Sequence, residues 1–483
     1  MRLSRSGHLA LIGLVLTASY LPASAVGART PWEATDQVVR GVSNAGPTYA
    51  GVRGAFVHFK AGTRHQRDFL RRRGLRPVVA LTSIDVVYAE GTSRAFSTIS
   101  RDPRVLRLEA NRQLPLLNES ATVATRVQEL RTPEAPYRSP SGGPIDGSGV
   151  GVAVLDTGIL GTHPDLSTRM ARNYKIVCDG CPLIETPVTD TTSGHGTHVA
   201  GIVAGTGAQS QGRFAGAAPG VSLYGYGGGE TLYMLWAAVA FDHIVQHYDN
   251  FDPRIRVVTN SYGRPREFDP DSTISRLVGE LVDRGTTVVW AAGNSGGNGS
   301  ADRLVSDAKN PLPGVISVGN YDDLDSGSRD GLMYSSSSRG RAGSPETYPD
   351  VVAPGTHITS TCIQEIQPVC NLGFGVTTAY HPWYSTIQGT SMAAPHVAGI
   401  AALLYQAQPA LTPAQVEDLL QDAAHKFADG APYEPDPQNP GGTVSFDKGA
   451  GLVDAVAALE LLQERSTTQP PRKKKGRRPR SPR

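Results

Sequence analysis

A stretch of helix-spaced apolar residues stands out in the C-terminal half of the chain, at residues 392–405. Ala, Leu, Val and Ile recur there with the spacing of a buried helix. Ser391 directly precedes the stretch, and Gly389 permits the tight backbone that such a start requires. Two interpretations fit this serine: a helix N-cap, which serine favours, or a nucleophile placed where free N–H groups and the helix dipole stabilise negative charge. The stretch alone does not separate them.

Apolar runs that predict buried strands alternate with helical patterns from residue 151 to residue 424. The first run, residues 151–155, ends on Asp156, and three further runs have the same character (residues 257–259, 287–290 and 315–318). The helical patterns cover residues 195–204, 232–248, 274–284, 391–406 and 413–424. This alternation predicts a three-layer α/β fold with a mostly parallel central sheet and helices on both faces. Sites gather at the carboxyl ends of such strands, where Asp156 and Asn294 fall.

A smaller pattern precedes this region. It predicts a strand (residues 55–59), a helix (64–73), two strands (within 77–89), a second helix (93–100) and a last strand (105–108). The order βαββαβ is typical of a small ferredoxin-like α+β domain. A free-standing regulatory or binding domain is one interpretation. A removable pro-domain is favoured, because the segment follows a signal peptide and its positive charge would complement an acidic partner.

The N-terminus fits a secretory signal peptide. Arg2 and Arg5 precede an apolar run at residues 9–16, and Ala23-Ser24-Ala25 provides the small residues of a cleavage site after Ala25. The apolar run is too short to span a membrane. We therefore predict a secreted, monomeric protein without a membrane span, divided into a signal peptide (1–25), a pro-domain (26–124), a main domain (125–465) and a tail (466–483).

Charge is distributed unevenly, although the formal net charge is only +2. The pro-domain and the tail from Arg472 onward are basic, whereas the main domain between them is acidic. The tail has basic but no apolar residues, so it is predicted to be disordered past Glu464. Three roles stay open for it: an unstructured end, an arm that binds cell-surface polyanions, or a nucleic-acid contact, which export disfavours.

Four cysteines, Cys178, Cys181, Cys362 and Cys370, match an oxidising compartment. Two short loops, Cys178–Cys181 and Cys362–Cys370, are the simplest pairing. A zinc site made by the four thiols is the alternative, but a second C-x-x-C pair is absent from the sequence. Connectivity is not fixed by the sequence.

Asp156, His195 and Ser391 supply what acyl hydrolysis by a hydroxyl requires: a carboxylate that orients a base, the base, and a nucleophile. The chain order Asp, His, Ser differs from that of the α/β-hydrolases, and the G-x-S-x-G elbow is absent. The surrounding motifs are residues 154–159 (Val-Leu-Asp-Thr-Gly-Ile), 194–201 (Gly-His-Gly-Thr-His-Val-Ala-Gly) and 389–399 (Gly-Thr-Ser-Met-Ala-Ala-Pro-His-Val-Ala-Gly). In this order they resemble the motifs of the subtilisin-type serine proteases, and the similarity spans about residues 149–457.

The resemblance implies a serine endopeptidase that cleaves protein or peptide substrates through an acyl-enzyme, with Asp156, His195 and Ser391 as its catalytic triad. It places the oxyanion-hole amide at Asn294, which on its own is equally a turn residue beside glycine. It also implies pocket walls at residues 261–263 and 291–293, and a backbone edge for substrate at Gly228, in a stretch that is otherwise a loose loop. The six wall residues are Ser261, Tyr262, Gly263, Ala291, Ala292 and Gly293.

Aligning residues 312–319 with the family also places Asp307 near the floor of the first specificity pocket, where a carboxylate would favour arginine or lysine before the cut. The alternative is that Asp307 is an exposed loop residue.

No cofactor is required for the chemistry. Asp165 resembles a calcium ligand of the family, but residues 205–212, which replace the loop of further ligands, offer no carboxylate, so structural calcium stays an open expectation.

His198 follows His195 at helical spacing and could in principle share a metal with it. The pattern H-E-x-x-H is absent, and Gly196 stands where its glutamate would be, so His198 and His396 are predicted to be packed structural histidines.

We predict a secreted serine endopeptidase made as a pre-pro-protein, inhibited by its own pro-domain until a cut between residues 117 and 138. Three alternatives are a processing protease with basic-residue preference, a catalytically silent binding protein on a subtilisin fold, and an esterase or amidase for small molecules.

Overall fold

The computed structural model describes residues 53–81, 85–110, 117–132, 135–176, 183–190, 192–230, 232–363, 367–371 and 382–468. The chain divides into two compact units between Leu114 and Pro115. The predicted signal peptide, Cys178, Cys181 and the chain from residue 469 onward lie outside the described residues. In the described part, no helix is long and apolar enough to cross a membrane.

The first unit is a four-stranded antiparallel sheet with two helices. Its elements are β1 (Arg53–Phe59), α1 (Gln66–Arg72), β2 (Arg76–Leu81), β3 (Val86–Gly91), α2 (Ser93–Ile99) and β4 (Val105–Ala110). The strands lie in the order β2-β3-β1-β4, which is the ferredoxin-like order that the sequence predicts. Alternate residues of the central strand β1, Ala55, Val57 and Phe59, are buried against the helices.

The second unit is built on a nine-stranded sheet. Its strands are β5 (Gly151–Asp156), β6 (Met170–Lys175), β7 (Ile184–Glu185), β8 (Ser222–Gly227), β9 (Ile255–Asn260), β10 (Thr287–Ala291), β11 (Val315–Asp322), β12 (Leu332–Met333) and β13 (Val351–Pro354). They lie in the order β12-β11-β10-β9-β5-β8-β6-β7, and β13 also pairs with β11. Only the pairings of β7 and β12 are antiparallel among those described. The predicted, mostly parallel sheet is therefore confirmed.

Helices cover both faces of this sheet, as predicted. The long helices are α4 (His195–Ala204), α5 (Met234–Gln246), α6 (Thr273–Asp283), α7 (Thr390–Ala407) and α8 (Pro413–Asp422). Strand β5 shows how the layers form: Val152 and Val154 pack with α4 and α7, whereas Ala153 and Leu155 pack with α5 and α6. All six residues of β5 are buried, which explains its continuous apolar run.

Residues that precede the main sheet also belong to the second unit. Helix α3 (Leu117–Ala124) and a short 3₁₀ helix (Val127–Arg131) contribute Ala121, Val127 and Leu130 to the same core as α7, each at most 1% exposed. The first unit thus ends at Leu114, whereas the sequence places the end of the pro-domain near Ala124.

The C-terminal helix, α9 (Ala455–Thr468), extends beyond the predicted end of order at Glu464. Leu459 and Leu462 anchor it in the core, and the Ser466 hydroxyl donates to the Leu462 carbonyl at 2.8 Å. A small two-stranded sheet, β14 (Ile358–Thr361) with β15 (Tyr384–Ile387), leads into the start of α7.

Candidate active site

Three elements bring Asp156, His195 and Ser391 to one edge of the sheet. Asp156 is the last residue of the central strand β5, His195 is the first residue of α4, and Ser391 is the second residue of α7. The carboxyl end of a central parallel strand is where α/β sheets bind ligands.

Asp156 holds the imidazole of His195. Its Oδ1 lies 2.7 Å from His195 Nδ1 and also accepts from the Thr157 N–H at 2.7 Å. The Asp156 side chain is 1% exposed, whereas that of His195 is 24% exposed. Burial lowers the pKa of His195, but the charge and hydrogen bond of Asp156 outweigh burial, so its pKa lies above the ordinary value. The result is a base that is oriented by a buried carboxylate and reachable from solvent.

Asp190 was not among the residues predicted from the sequence. Its carboxylate holds the turn that leads into His195. This residue is 1% exposed and accepts hydrogen bonds from the N–H groups of Ser193 and Gly194 and from Thr197 Oγ1, at 3.1, 2.9 and 3.0 Å. A carboxylate just before a helix start is a known local signal, and it could have identified this residue.

The loop between Cys362 and Cys370 packs against the turn that leads into His195. The sulfur atoms of Cys362 and Cys370 lie within disulfide-bonding distance, and both residues are buried. A Cβ atom at Gly194 would lie 2.9 Å from Cys370 Sγ, and the φ of Gly194 is 97°, so this position requires glycine. The Val369 N–H donates to the Ser193 carbonyl at 2.9 Å, which ties the loop to the backbone before His195. The predicted Cys178–Cys181 pair lies outside the described residues.

The Ser391 hydroxyl donates to the Ser261 carbonyl at 3.1 Å. Within the described residues no hydrogen bond joins it to His195. In the opposite direction, the Ser261 hydroxyl donates to the Ser391 carbonyl at 2.9 Å. Pro395 explains why this carbonyl is available: it stands four residues further along α7 and has no N–H to donate.

The Asn294 side chain is bonded to Thr390, the residue that precedes Ser391. Its Oδ1 accepts from the Thr390 N–H at 3.0 Å and from Thr390 Oγ1 at 3.1 Å, so the other end of the amide is the donor Nδ2. In the described part of the chain, Nδ2 has no protein partner, and Asn294 is exposed. A Cβ atom at Gly389 would lie 3.3 Å from Nδ2, and the φ of Gly389 is 146°, so glycine keeps this space open.

The residues predicted to form the walls of the substrate pocket lie at the carboxyl ends of two neighbouring strands, β9 and β10. Residues 261–263 follow β9, and residues 291–293 end and follow β10. Tyr262 and Gly263 line a cavity of about 510 Å³ that Asp307 also lines. Ser261, Ala291, Ala292 and Gly293 are buried. Gly228 is buried too, and its N–H donates to the Asp156 carbonyl at 2.9 Å, while its own carbonyl accepts no hydrogen bond in the described residues.

Asp165 lies inside the second unit, away from solvent. Its Oδ1 accepts from the Gln209 N–H at 3.0 Å and its Oδ2 from the Tyr384 hydroxyl at 2.6 Å. Both carboxylate oxygens therefore already have protein donors, one of them from the loop that lacks carboxylates. The described residues contain no cluster of three or more His, Cys, Asp or Glu suited to a metal ion.

The two other motif histidines are buried. His198 Nε2 donates to the carbonyls of Ile358 and Ser385, both at 3.1 Å. His396 Nε2 lies 2.8 Å from Thr125 Oγ1. Burial lowers the pKa of both to about 3, so both rings are neutral and link α4 and α7 to neighbouring segments.

A carboxylate–imidazole pair at the carboxyl end of one parallel strand and a helix-start serine bonded to the residue after the neighbouring strand form an arrangement typical of serine hydrolases. Comparisons with known proteins narrow this class. Residues 147–451 match the model of the subtilase family of peptidases.

The chain is 34% identical over 364 residues to serine protease AprX of Bacillus subtilis (strain 168), covering 72% of this chain and 76% of that protein. It is 29% identical over 406 residues to subtilisin E of the same organism, covering 82% and 86%. Among solved structures it resembles sphericase, with 26% identity, a TM-score of 0.51 and coverage of 72% of this chain and 99% of that one. The chain belongs to the subtilase family. It is a serine endopeptidase, and peptides are its substrates.

Proposed function

We propose that this protein is a secreted endopeptidase, made as a pre-pro-protein, in which Asp156, His195 and Ser391 form the catalytic triad. The observation that carries the proposal is the 2.7 Å contact between the buried Asp156 carboxylate and His195 Nδ1. A carboxylate in this position fixes the tautomer in which Nε2 is free to accept a proton and stabilises the imidazolium that results.

The reaction begins when the Ser391 hydroxyl turns from the Ser261 carbonyl toward His195 Nε2. Hydrogen bonds of this kind commonly tighten only when substrate is bound. His195 takes the hydroxyl proton as Ser391 Oγ attacks the peptide carbonyl, and then gives that proton to the leaving amine. Water hydrolyses the acyl-enzyme by the same steps in reverse.

Two donors would stabilise the oxyanion in this mechanism. One is Asn294 Nδ2, whose orientation is set by the bonds of its Oδ1 to Thr390. The other is the N–H of Ser391, which lies in the first turn of α7, where backbone N–H groups have no intrahelical acceptor. A donor that is held in place before the reaction contributes roughly 3–4 kcal/mol to transition-state stabilisation.

The first unit is proposed as the pro-domain. Its basic composition against the acidic second unit supports an inhibitory association. The burial of Ala121, Val127 and Leu130 favours a maturation cut before Leu117, because a cut within residues 117–131 would divide a segment of the protease core. The range of 117–138 expected from the sequence stays a prediction, and this proposal places the cut just before it. The N-terminal residue of the secreted enzyme, read by intact mass, tests the placement.

A fluorophosphonate probe tests the nucleophile. The wild-type enzyme should gain one adduct, located by peptide mass mapping to Ser391. Ser391→Ala should gain none, and the matched control Ser466→Ala, which changes an exposed serine of α9, should label as wild type does. A folded wild-type protein that does not react would instead favour a binding protein on this fold. An adduct together with hydrolysis of small esters but not of peptides would favour the esterase alternative.

A further inference from the structure

Gln367 is a buried glutamine in the loop of residues 362–370, which the cysteine pair closes. Its exposed fraction is 0%, and both ends of its amide have partners. Its Oε1 accepts from the Ile363 N–H at 2.8 Å, within the loop, whereas its Nε2 donates to Thr197 Oγ1 of α4 at 2.9 Å. The side chain therefore joins the loop to the helix that begins at His195.

The direction of the hydrogen bonds at Thr197 is fixed. Its Oγ1 lies 3.0 Å from Asp190 Oδ2, and an ionised carboxylate only accepts, so the single hydroxyl proton is donated to Asp190. The same oxygen then accepts from Gln367 Nε2 and from the Leu160 N–H, at 2.9 and 3.0 Å. Gln367, Thr197 and Asp190 thus form one hydrogen-bond network, in which each bond polarises the next.

This network ends at the backbone that enters α4. Asp190 is 1% exposed and accepts from the N–H groups of Ser193 and Gly194, directly before His195. From the other side, the Val369 N–H of the loop donates to the Ser193 carbonyl. A Cβ atom at Gly194 would lie only 2.8 Å from the nearest side-chain atom of the loop. The loop therefore holds the turn from which the imidazole projects, both by packing and by hydrogen bonds.

Asp190 also acts on the charge of His195. Burial lowers the pKa of His195, and the charges of Asp156 and, more weakly, of Asp190 raise it. His198, the other titratable residue of α4, is neutral because burial lowers its pKa to about 3. Burial raises the pKa of Asp190, and hydrogen bonds from two backbone N–H groups and from Thr197 oppose the rise. The hydroxyl that Gln367 orients thus helps to keep a second carboxylate ionised near the imidazole.

We propose that Gln367 is a positioning residue for His195: it orients the Thr197 hydroxyl toward Asp190, whose carboxylate holds the turn before the imidazole. Loss of the amide leaves this turn less well fixed, so the ring spends less time aligned for proton transfer. The chemical step slows, whereas substrate binding is unchanged. The inference rests on the proposed function, since it assumes that His195 is the base of the triad.

The test measures kcat and KM on a fluorogenic peptide. Gln367→Met keeps the length of the side chain and removes the donor, so kcat should fall about 10-fold while KM changes less than about 2-fold. The matched control Gln408→Met, which changes an exposed glutamine after α7, should behave as wild type does. Thr197→Val should lower kcat at least as far as Gln367→Met does, and Thr197→Ser, which keeps the hydroxyl, should recover most of the loss.

The double variant Gln367→Met with Thr197→Val measures the coupling between the two residues. If they act through one network, its kcat should be close to that of Thr197→Val alone. Losses of kcat that multiply would overturn the proposal. A Gln367→Met enzyme with a lower urea midpoint but wild-type kcat would also overturn it, because the glutamine would then serve stability alone.

The pH profile tests the end of the network. Asp190→Asn removes a charge that raises the pKa of His195, so the acid limb of kcat/KM should move to lower pH. A limb that stays in place would contradict the link from Asp190 to His195.

Each protein is first titrated with the fluorophosphonate, which separates this inference from the proposed function. A wild-type enzyme that labels normally, with a kcat that survives Gln367→Met, contradicts only the role of Gln367. A wild-type enzyme that does not label, or a His195→Ala variant with undiminished kcat, contradicts the proposed triad.

Discussion

Ser261 and Ser391 exchange hydrogen bonds, each hydroxyl donating to the carbonyl of the other residue, at 2.9 and 3.1 Å. The arrangement follows from Pro395, which leaves the Ser391 carbonyl without its helical donor. Ser261 supplies that donor from the end of β9, and so joins the central sheet to the first turn of α7. We therefore expect the Ser261 side chain to position Ser391, the proposed nucleophile.

Ser261→Ala should therefore lower kcat by about 10-fold, because a small displacement of the nucleophile reduces productive alignment. Loss of the bond should also lower the free energy of unfolding by about 1 kcal/mol. Steady-state kinetics and denaturant unfolding measure the two effects. The exposed Ser295→Ala is the control, and a Ser261→Ala enzyme with wild-type kcat would show that this contact does not position Ser391.

The acid limb of the pH–rate profile should report His195. The base must be neutral to accept a proton, so kcat/KM should fall as the pH drops through a pKa above the ordinary value of about 6.5. Asp156→Asn removes the charge that raises this pKa, so the limb should move to lower pH while the plateau falls roughly 10⁴-fold. A limb that stays in place in the variant would assign the titration to another group.

Alkaline stability should depend on Glu417. Burial and the charge of Asp350 raise the pKa of Glu417, and Gln421 Nε2 contacts both carboxylates, at 3.4 and 3.1 Å. Because the folded state binds this proton more tightly than the unfolded state, its stabilisation is complete below the unfolded pKa and is lost as the pH rises through the folded pKa. Glu417→Gln should therefore flatten the loss of stability between about pH 5 and pH 9, by roughly 1–3 kcal/mol.

Urea unfolding across this pH range, in a Ser391→Ala background that prevents self-digestion, measures the effect. The exposed Glu230→Gln should leave the profile unchanged. A Glu417→Gln profile as steep as that of the parent would contradict the role given to this carboxyl.

The segment before the main sheet should stabilise the helix of the nucleophile. The Thr125 hydroxyl donates to the Ala121 carbonyl at 3.0 Å, so it accepts from His396 Nε2, five residues after Ser391. Thr125→Val leaves that buried N–H without an acceptor and should lower the free energy of unfolding by about 1–3 kcal/mol. Thr125→Ser keeps the hydroxyl and should differ from wild type by less than about 1 kcal/mol. A loss in Thr125→Ser without a loss in Thr125→Val would indicate that the methyl group, not the hydrogen bond, matters.

Strong periodic segments could be predicted from the sequence alone. Helix α4 begins and ends where its apolar pattern does, and β5 was recognisable because burial on both faces makes its run continuous. Strand β6 was missed because four of its six residues are polar or charged, and only Asn173 is fully buried. Strand β8 was missed because Gly225 and Gly227 interrupt its pattern, although their lack of a side chain allows Asn173 and Gly158 to approach closely.

The candidate site was predictable where local motifs mark it and not where distant segments meet. Asp156, His195 and Ser391 stand in distinctive short motifs. The pairing of Ser261 with Ser391 and that of Thr125 with His396 join residues far apart in the chain, and no local pattern encodes them.

The central claim is that Asp156, His195 and Ser391 act as one unit. The most direct measurement is kcat for peptide hydrolysis by His195→Ala, by Ser391→Ala and by the double variant. Residues that act together are non-additive, so each single change should remove on the order of 10⁶-fold of kcat and the double variant should be no slower than either. A double variant whose loss is the product of the two single losses, or a Ser391→Ala enzyme that keeps appreciable activity, would contradict the account.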